Sequence, residues 1–270
     1  MVLLISGLII SFLLGSALAS FVHCWAHRLY SGQGFKRRSH CPKCGQQLTW
    51  LENIPIFSYL RLAGRCRHCR QPIPSDYLWS ELAGGLLLAC ALITAWFKLG
   101  GDEGLWLIIN NYQGWLMAGQ ALIGFILLML VFLTDYWWLS IFTGPIMVGS
   151  VILAGLRLLS GADWTSLLMG GLFGGLFFAV QFWLSRGRWV GEGDIYLGVF
   201  LGVWLGWPLI VPTIFAAYIV GAIIGLFLLI SGQKDRTAKL PMGVFLAPSG
   251  WLFFLWGQLL WQTYLGWLGW

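Results

Sequence analysis

Four cysteines stand in two matched pairs, CPKC at 41–44 and CRHC at 66–69. One C-x-x-C turn can place two thiolates on a single ion, and two such turns complete a tetrahedral set. The arrangement of Cys41, Cys44, Cys66 and Cys69 therefore predicts a structural zinc site. With four protein ligands it has no open position for water, so it staples a loop and does not catalyse. Disulfides would require an oxidising compartment, and a redox pair would explain one C-x-x-C but not two. Lys43, Arg65, Arg67 and Arg70 flank the thiolates and offset their charge. Cys24 and Cys90 fall in or beside apolar runs and read as small packing residues.

A second chemistry is suggested by acids at the ends of apolar runs. Asp135 closes one such run in LVFLTD, and Asp194 follows two glycines in GEGD at 191–194, just before IYLGVFLGVWLGW. An acid next to lipid is costly and needs a reason. Two carboxylates brought together share a proton, so one can act as base on water while the other polarises a carbonyl as an acid. Asp135 and Asp194 are thus candidate catalytic residues of an aspartic mechanism. Gly191 and Gly193 form a candidate catalytic loop where backbone or substrate comes close. An Asp at a helix start is also favoured by capping and the helix dipole, which suits Asp194 and not Asp135. Spacing alone does not bring the two together.

These residues must be positioned by membrane helices. The chain of 270 residues is 59% hydrophobic and 10% charged, against about a quarter charged in a soluble domain. The expected class is an all-α polytopic membrane protein. Residues 1–22 carry no charge and include SALAS, but the first basic residue is Arg28, behind the apolar run. That order suits a retained first helix and not a signal peptide. Uncharged windows at 82–97, 104–134, 136–156, 164–185, 195–233 and 240–270 follow. A span needs roughly 20 residues, so 195–233 divides in two at the turn Gly206 to Pro208, giving about eight spans.

Basic residues orient the bundle. Nine lie in 24–77, two at 186–193 and three at 231–239, fourteen of the sixteen in the chain. Eight spans put all three segments on one side, which the positive-inside rule makes cytoplasmic. The expected localisation is the plasma or inner membrane, multi-pass, with zinc loop and active site facing the cytoplasm. The basic loop is expected to meet anionic lipid head groups rather than nucleic acid. A transporter or channel using rim carboxylates is the alternative function. It fits less well, because the acids gather at one interface and no half-to-half repeat is evident. An inert zinc-loop scaffold is a third reading.

Over nearly its whole length the chain resembles the type IV prepilin leader peptidases, bifunctional membrane enzymes of the GxGD aspartic class. ASFVHCWAHRL at 19–29 is similar to the family's first helix, and the tetracysteine loop matches closely, including Asn53 to Pro55. Glu81 falls on a family glutamate, and LPMGVFLAPSG at 240–250 on a late glycine-bearing element. The resemblance implies that Asp135 and Asp194 are the catalytic pair. It further implies cleavage of a basic leader from prepilins or pseudopilins, in pilus assembly, competence or protein secretion. N-methylation of the new terminus with S-adenosylmethionine follows, with Glu81 as a methyltransferase candidate. The implied organisation is a first helix at 1–23, a cytoplasmic zinc loop at 24–77 and peptidase helices at 101–270. The methyltransferase-associated region extends from that loop to about residue 100. The sequence departs from the family pattern at Ala19, His23 and Tyr196 and after Asp135, and it keeps both aspartates. The His-Cys pair at 23–24 resembles competence pseudopilin peptidases of Gram-positive bacteria.

Overall fold

A computed structural model describes residues 2–32, 39–233, 235, 240–267 and 269. Lys36, Arg37, Arg38, Lys234, Arg236 and Lys239, part of the orientation argument, lie outside the described residues. The chain forms two compact units, residues 1–110 and 111–270.

Unit 1 begins with α1 (Val2–Tyr30). A loop follows with a single 3-10 turn (Trp50–Asn53) and the short α2 (Phe57–Arg61). The unit ends with α3 (Asp76–Lys98) and α4 (Asp102–Ile109). On α1, Ser16, Ala19, Val22, His23 and Ala26 are all buried, a stripe at helical spacing. Gly7 lies against Leu92, Gly15 against Gly84 and His23 against Ser80, so α1 and α3 run antiparallel. The other side of α1 presents Ile5, Ile9, Ile10, Leu13 and Phe21 outward. In water such a face would be a liability, whereas lipid is its natural solvent.

Unit 2 contains α5 (Tyr112–Trp138), α6 (Thr143–Leu159), α7 (Trp164–Ser185), α8 (Glu192–Leu205), α9 (Ile210–Ile230) and α10 (Gly243–Trp267). Its core is aromatic. Phe125, Phe178, Phe200 and Trp204 are almost wholly buried, and Trp204 stacks on Phe254 at 4.6 Å between ring centroids. Helices α7 and α8 touch backbone to backbone. A Cβ on Gly174 would sit 2.2 Å from the Gly198 carbonyl oxygen, so no larger side chain fits that crossing. Small residues allow this approach where no hydrophobic force drives helices together in lipid.

Among the described residues, six helices are long and apolar enough to cross a membrane: α1, α3, α5, α7, α9 and α10. Helices α6 and α8, of 17 and 14 residues, coincide with the two remaining spans of the eight expected but are shorter than the roughly 20 residues a span needs. The protein is a multi-pass membrane protein. The division of 195–233 falls at the GWP turn, with α8 ending at Leu205 and α9 starting at Ile210. The run 104–134 is broken at Asn110–Asn111 into α4 and α5. Asn111 caps α5 by accepting the Gln113 N–H, a signal that charge counting passes over.

Candidate functional site

In unit 1 the two cysteine pairs fold as near copies of one knuckle. The Cys41 N–H donates to the Gln46 carbonyl, and the Gly45 N–H returns to the Cys41 carbonyl. The Cys66 N–H likewise donates to Gln71, and the Arg70 N–H to Cys66. Both turns are closed by a residue with positive φ, Gly45 at 71° and Arg70 at 56°. The four sulfurs lie within 4.8 Å of one another, and Cys41 and Cys69 Sγ are 3.9 Å apart. Tetrahedral zinc with Zn–S near 2.3 Å separates its sulfurs by about 3.8 Å, so the donor set fits such an ion.

The charge balance of the cluster agrees. The Cys44 backbone N–H brings the Cys41 thiol down to about 7, with further help from Lys43 and the neighbouring thiols against opposing burial. The Gln71 N–H acts in the same sense on Cys69. Burial and the other three sulfurs outweigh it there and push that thiol up to about 11. Four thiolates cannot crowd together unaided, and a dication is what allows all of them to lose their protons.

Glu81, on the second turn of α3, is buried in the same unit, and its Oε2 accepts the Ile56 N–H at 2.6 Å. Ile56 has φ 63° and ψ −54°, and the Phe57 N–H closes onto the Pro55 carbonyl at 2.5 Å. This is a positive-φ γ-turn, a rare and strained form, here at a β-branched residue. Strain of this kind costs about 1–3 kcal/mol and persists only where the surroundings over-determine it. The Glu81 carboxylate supplies part of that support. Nearby, His23 shares a hydrogen with the Ser80 hydroxyl at 3.0 Å and stacks on Tyr77 at 3.8 Å. The Ser80 hydroxyl donates to the Tyr77 carbonyl, so it accepts from His23 Nδ1–H.

In unit 2 both aspartates are buried, each with 6% of its surface exposed. Asp135 lies one turn from the end of α5, and Asp194 is in the first turn of α8. Asp194 Oδ2 accepts the Gly191 N–H at 2.8 Å, closing the start of its own helix. Its Oδ1 is buried with no hydrogen-bond partner. Asp135 Oδ2 accepts the Gly243 N–H at 2.6 Å, and the Val244 N–H also points at this carboxylate. Asp135, at the unfavourable end of its own helix, thus sits at the favourable N-terminal end of α10. Asp135 is also near enough to Asp194 for their charges to interact.

The glycines differ in what holds them. A Cβ on Gly193 would lie 2.6 Å from Ile141 Cβ, whereas at Gly191 it would have room, 3.6 Å from Asp194 Oδ2. Gly243 is a site residue that reading the sequence passed over, although it lies in the late element already singled out. A Cβ there would come within 2.8 Å of Asp135 Oδ2. The signal was a glycine opening an apolar helix two residues after Pro241.

Comparison with known proteins agrees with this anatomy. Residues 13–95 match the Bacterial Peptidase A24 N-terminal domain. The chain is 32% identical over 237 residues to the prepilin leader peptidase/N-methyltransferase of Pseudomonas aeruginosa, covering 86% of this chain and 76% of that protein. It is 31% identical over 235 residues to that of Aeromonas hydrophila, covering 84% and 74%. With that of Burkholderia pseudomallei it shares 36% over 220 residues, covering 79% and 65%. No solved structure matches. On this similarity, which spans most of both partners, the chain belongs to the prepilin leader peptidase/N-methyltransferase family.

Proposed function

We propose that this protein cleaves the basic leader from prepilins or pseudopilins and N-methylates the residue so exposed. The observation that carries the first reaction is the burial of Asp135 and Asp194 near each other, each held by a glycine amide, in a chain whose relatives bear that name. Two carboxylates in mutual reach share one proton, which supplies one base and one acid. The base takes a proton from water as its oxygen attacks the scissile carbonyl. The acid donates to the carbonyl oxygen, and collapse passes a proton to the leaving amine. Asp194 Oδ1, which no protein group engages, is the oxygen assigned to the water. Gly191 and Gly243 fix the two carboxylates.

Cys41, Cys44, Cys66 and Cys69 are assigned to one structural zinc, which cross-links the loop. Residues 24–77, extending to about 100, serve methyl transfer, and 101–270 carry the peptidase. S-adenosylmethionine when bound supplies an electrophilic methyl group on a cationic sulfonium. Glu81, a buried acid next to Tyr77, has the charge to face such a cation. Span parity and the fourteen basic residues support a cytoplasmic zinc loop and active site in the inner membrane.

The test is leader removal from a prepilin, scored by mobility shift and by mass spectrometry of the mature N-terminus. A folded Asp194→Asn protein that still cleaves at an appreciable rate would overturn the peptidase assignment.

A further inference from the structure

A polar cleft lies at the opposite end of unit 2 from the aspartates. It has a volume of about 330 Å³, and its lining includes Gln120, Arg157, Ser160, Asp163, Ser166 and Gln258. Along α8 the stretch from Asp194 to Leu205 is about 17 Å at 1.5 Å per residue. Arg157 sits at its far end, with Nη2 3.5 Å from the Leu205 carbonyl and close to Gly206.

Two features of the cleft call for a ligand. The Arg157 side chain is half-buried, and its Nε is a buried donor with no acceptor. An unmet donor on a partly buried cation is costly; Nη2 meets the Leu205 carbonyl, Nε meets nothing, and no ion pair holds Arg157 among the described residues. Asp163, on the same cleft, is exposed. The Thr165 hydroxyl and backbone N–H hold its carboxyl below the usual range, so it is ionised. The cleft therefore offers one fixed positive and one fixed negative charge that are not spent on each other.

The depth of the cleft identifies the phase it faces. Trp115 and Tyr112 in the first turn of α5, Trp164 opening α7, Trp207 after α8 and Tyr264 near the end of α10 are all exposed. Exposed aromatics at helix ends form the belt that sits at head-group level in a bilayer. Gln120 lies eight residues inside α5 and Gln258 nine residues before the end of α10, about 12–14 Å in from those ends. The mouth of the cleft is at that level, because its lining residues Asp163 and Ser166 flank Trp164 at the start of α7, while the amides of Gln120 and Gln258 line its deeper part.

We propose that this cleft binds the head group of a zwitterionic, amine-bearing phospholipid, its phosphate on Arg157 and its ammonium on Asp163. A simple anion would be repelled by Asp163 and a simple cation by Arg157; a head group carrying both charges satisfies each. Gln120, Gln258, Ser160 and Ser166 supply the remaining hydrogen bonds to phosphate and ester oxygens.

The test uses the full-length protein, delipidated in detergent and titrated with short-chain phosphatidylethanolamine or phosphatidylglycerol. Trp164 and Trp207 emission reports binding, and free phosphoethanolamine serves as an arm for the head group alone. The wild type should bind phosphatidylethanolamine saturably and prefer it to phosphatidylglycerol. Arg157→Gln should weaken both lipids about tenfold, the scale of one charge-assisted hydrogen bond. Asp163→Asn should reverse the preference in favour of phosphatidylglycerol. Saturable binding of phosphoethanolamine as tight as that of the lipid would overturn the lipid assignment in favour of a soluble ligand. Failure of the wild type to bind phosphatidylethanolamine, or binding with no head-group preference, would sink the proposal. So would unchanged binding in a folded Arg157→Gln protein. If that variant does not fold, the preference measured in wild type and Asp163→Asn decides.

Discussion

The Gly243 N–H donates to Asp135 Oδ2 at 2.6 Å, a hydrogen bond between residues 108 positions apart. It places a helix N-terminus on a carboxylate that its own helix does nothing to stabilise. A larger residue there would have to displace a neighbour, since a Cβ at 243 would fall 2.8 Å from the same oxygen and 2.9 Å from Val131.

Gly243→Ala should therefore displace the Asp135 carboxylate while leaving the helix able to form. Misplacement of a catalytic group by about 1 Å costs on the order of a hundredfold in rate. We expect a loss of that size in kcat for leader removal, with prepilin KM little changed. Full activity in the alanine variant would separate Gly243 from the mechanism.

Asp135→Asn and Asp194→Asn should each abolish cleavage, and the double variant should be little worse than either, because residues acting as a unit are non-additive. Glu192→Gln changes an exposed neighbour and should keep most activity. The rate should also fall at both pH extremes, where the pair is doubly protonated or doubly ionised. Additive losses in the double variant, measured in single-turnover assays, would contradict a shared role.

Purified protein should contain about one zinc per chain. A Cys41→Ser/Cys66→Ser protein should lose the metal and expose the loop to proteolysis, with unit 2 still capable of cleavage. Metal analysis decides this, and full loading of the double variant would refute the site.

Glu81 holds the Ile56 turn, and the proposed methyl transfer assigns its charge a second, separable duty. Glu81→Gln keeps an acceptor for the Ile56 N–H, so methylation should fall while cleavage and zinc content persist. Glu81→Ala leaves that part-buried N–H without its carboxylate at a cost of up to about 1–3 kcal/mol, and the loop should become protease-sensitive as well. Mass spectrometry of the mature pseudopilin reads methylation in both variants. Normal methylation in the glutamine variant would leave Glu81 with the turn alone.

What the sequence by itself determined is what depends on neighbours in the chain. Apolar runs separated by charge marked the six helices long enough to cross a membrane, because a span must be long and uncharged wherever it packs. The C-x-x-C pairs announced a four-thiol cluster, because each knuckle closes within six residues through its own backbone. The Gly191–Asp194 contact was implicit in GEGD for the same reason, being three residues long. Tertiary structure decided everything that joins distant segments. That Asp135 comes near Asp194, that it accepts the Gly243 N–H at the start of α10, and that Glu81 holds Ile56 all depend on which helix ends meet. Periodicity describes one face of one helix and is silent about its partner. In lipid that choice rests on close backbone packing, as at Gly174 against Gly198. The cleft at Arg157 was least visible of all. Its charges come from separate turns, and only the packing of α5, α6, α7 and α10 buries the Arg157 Nε without an acceptor.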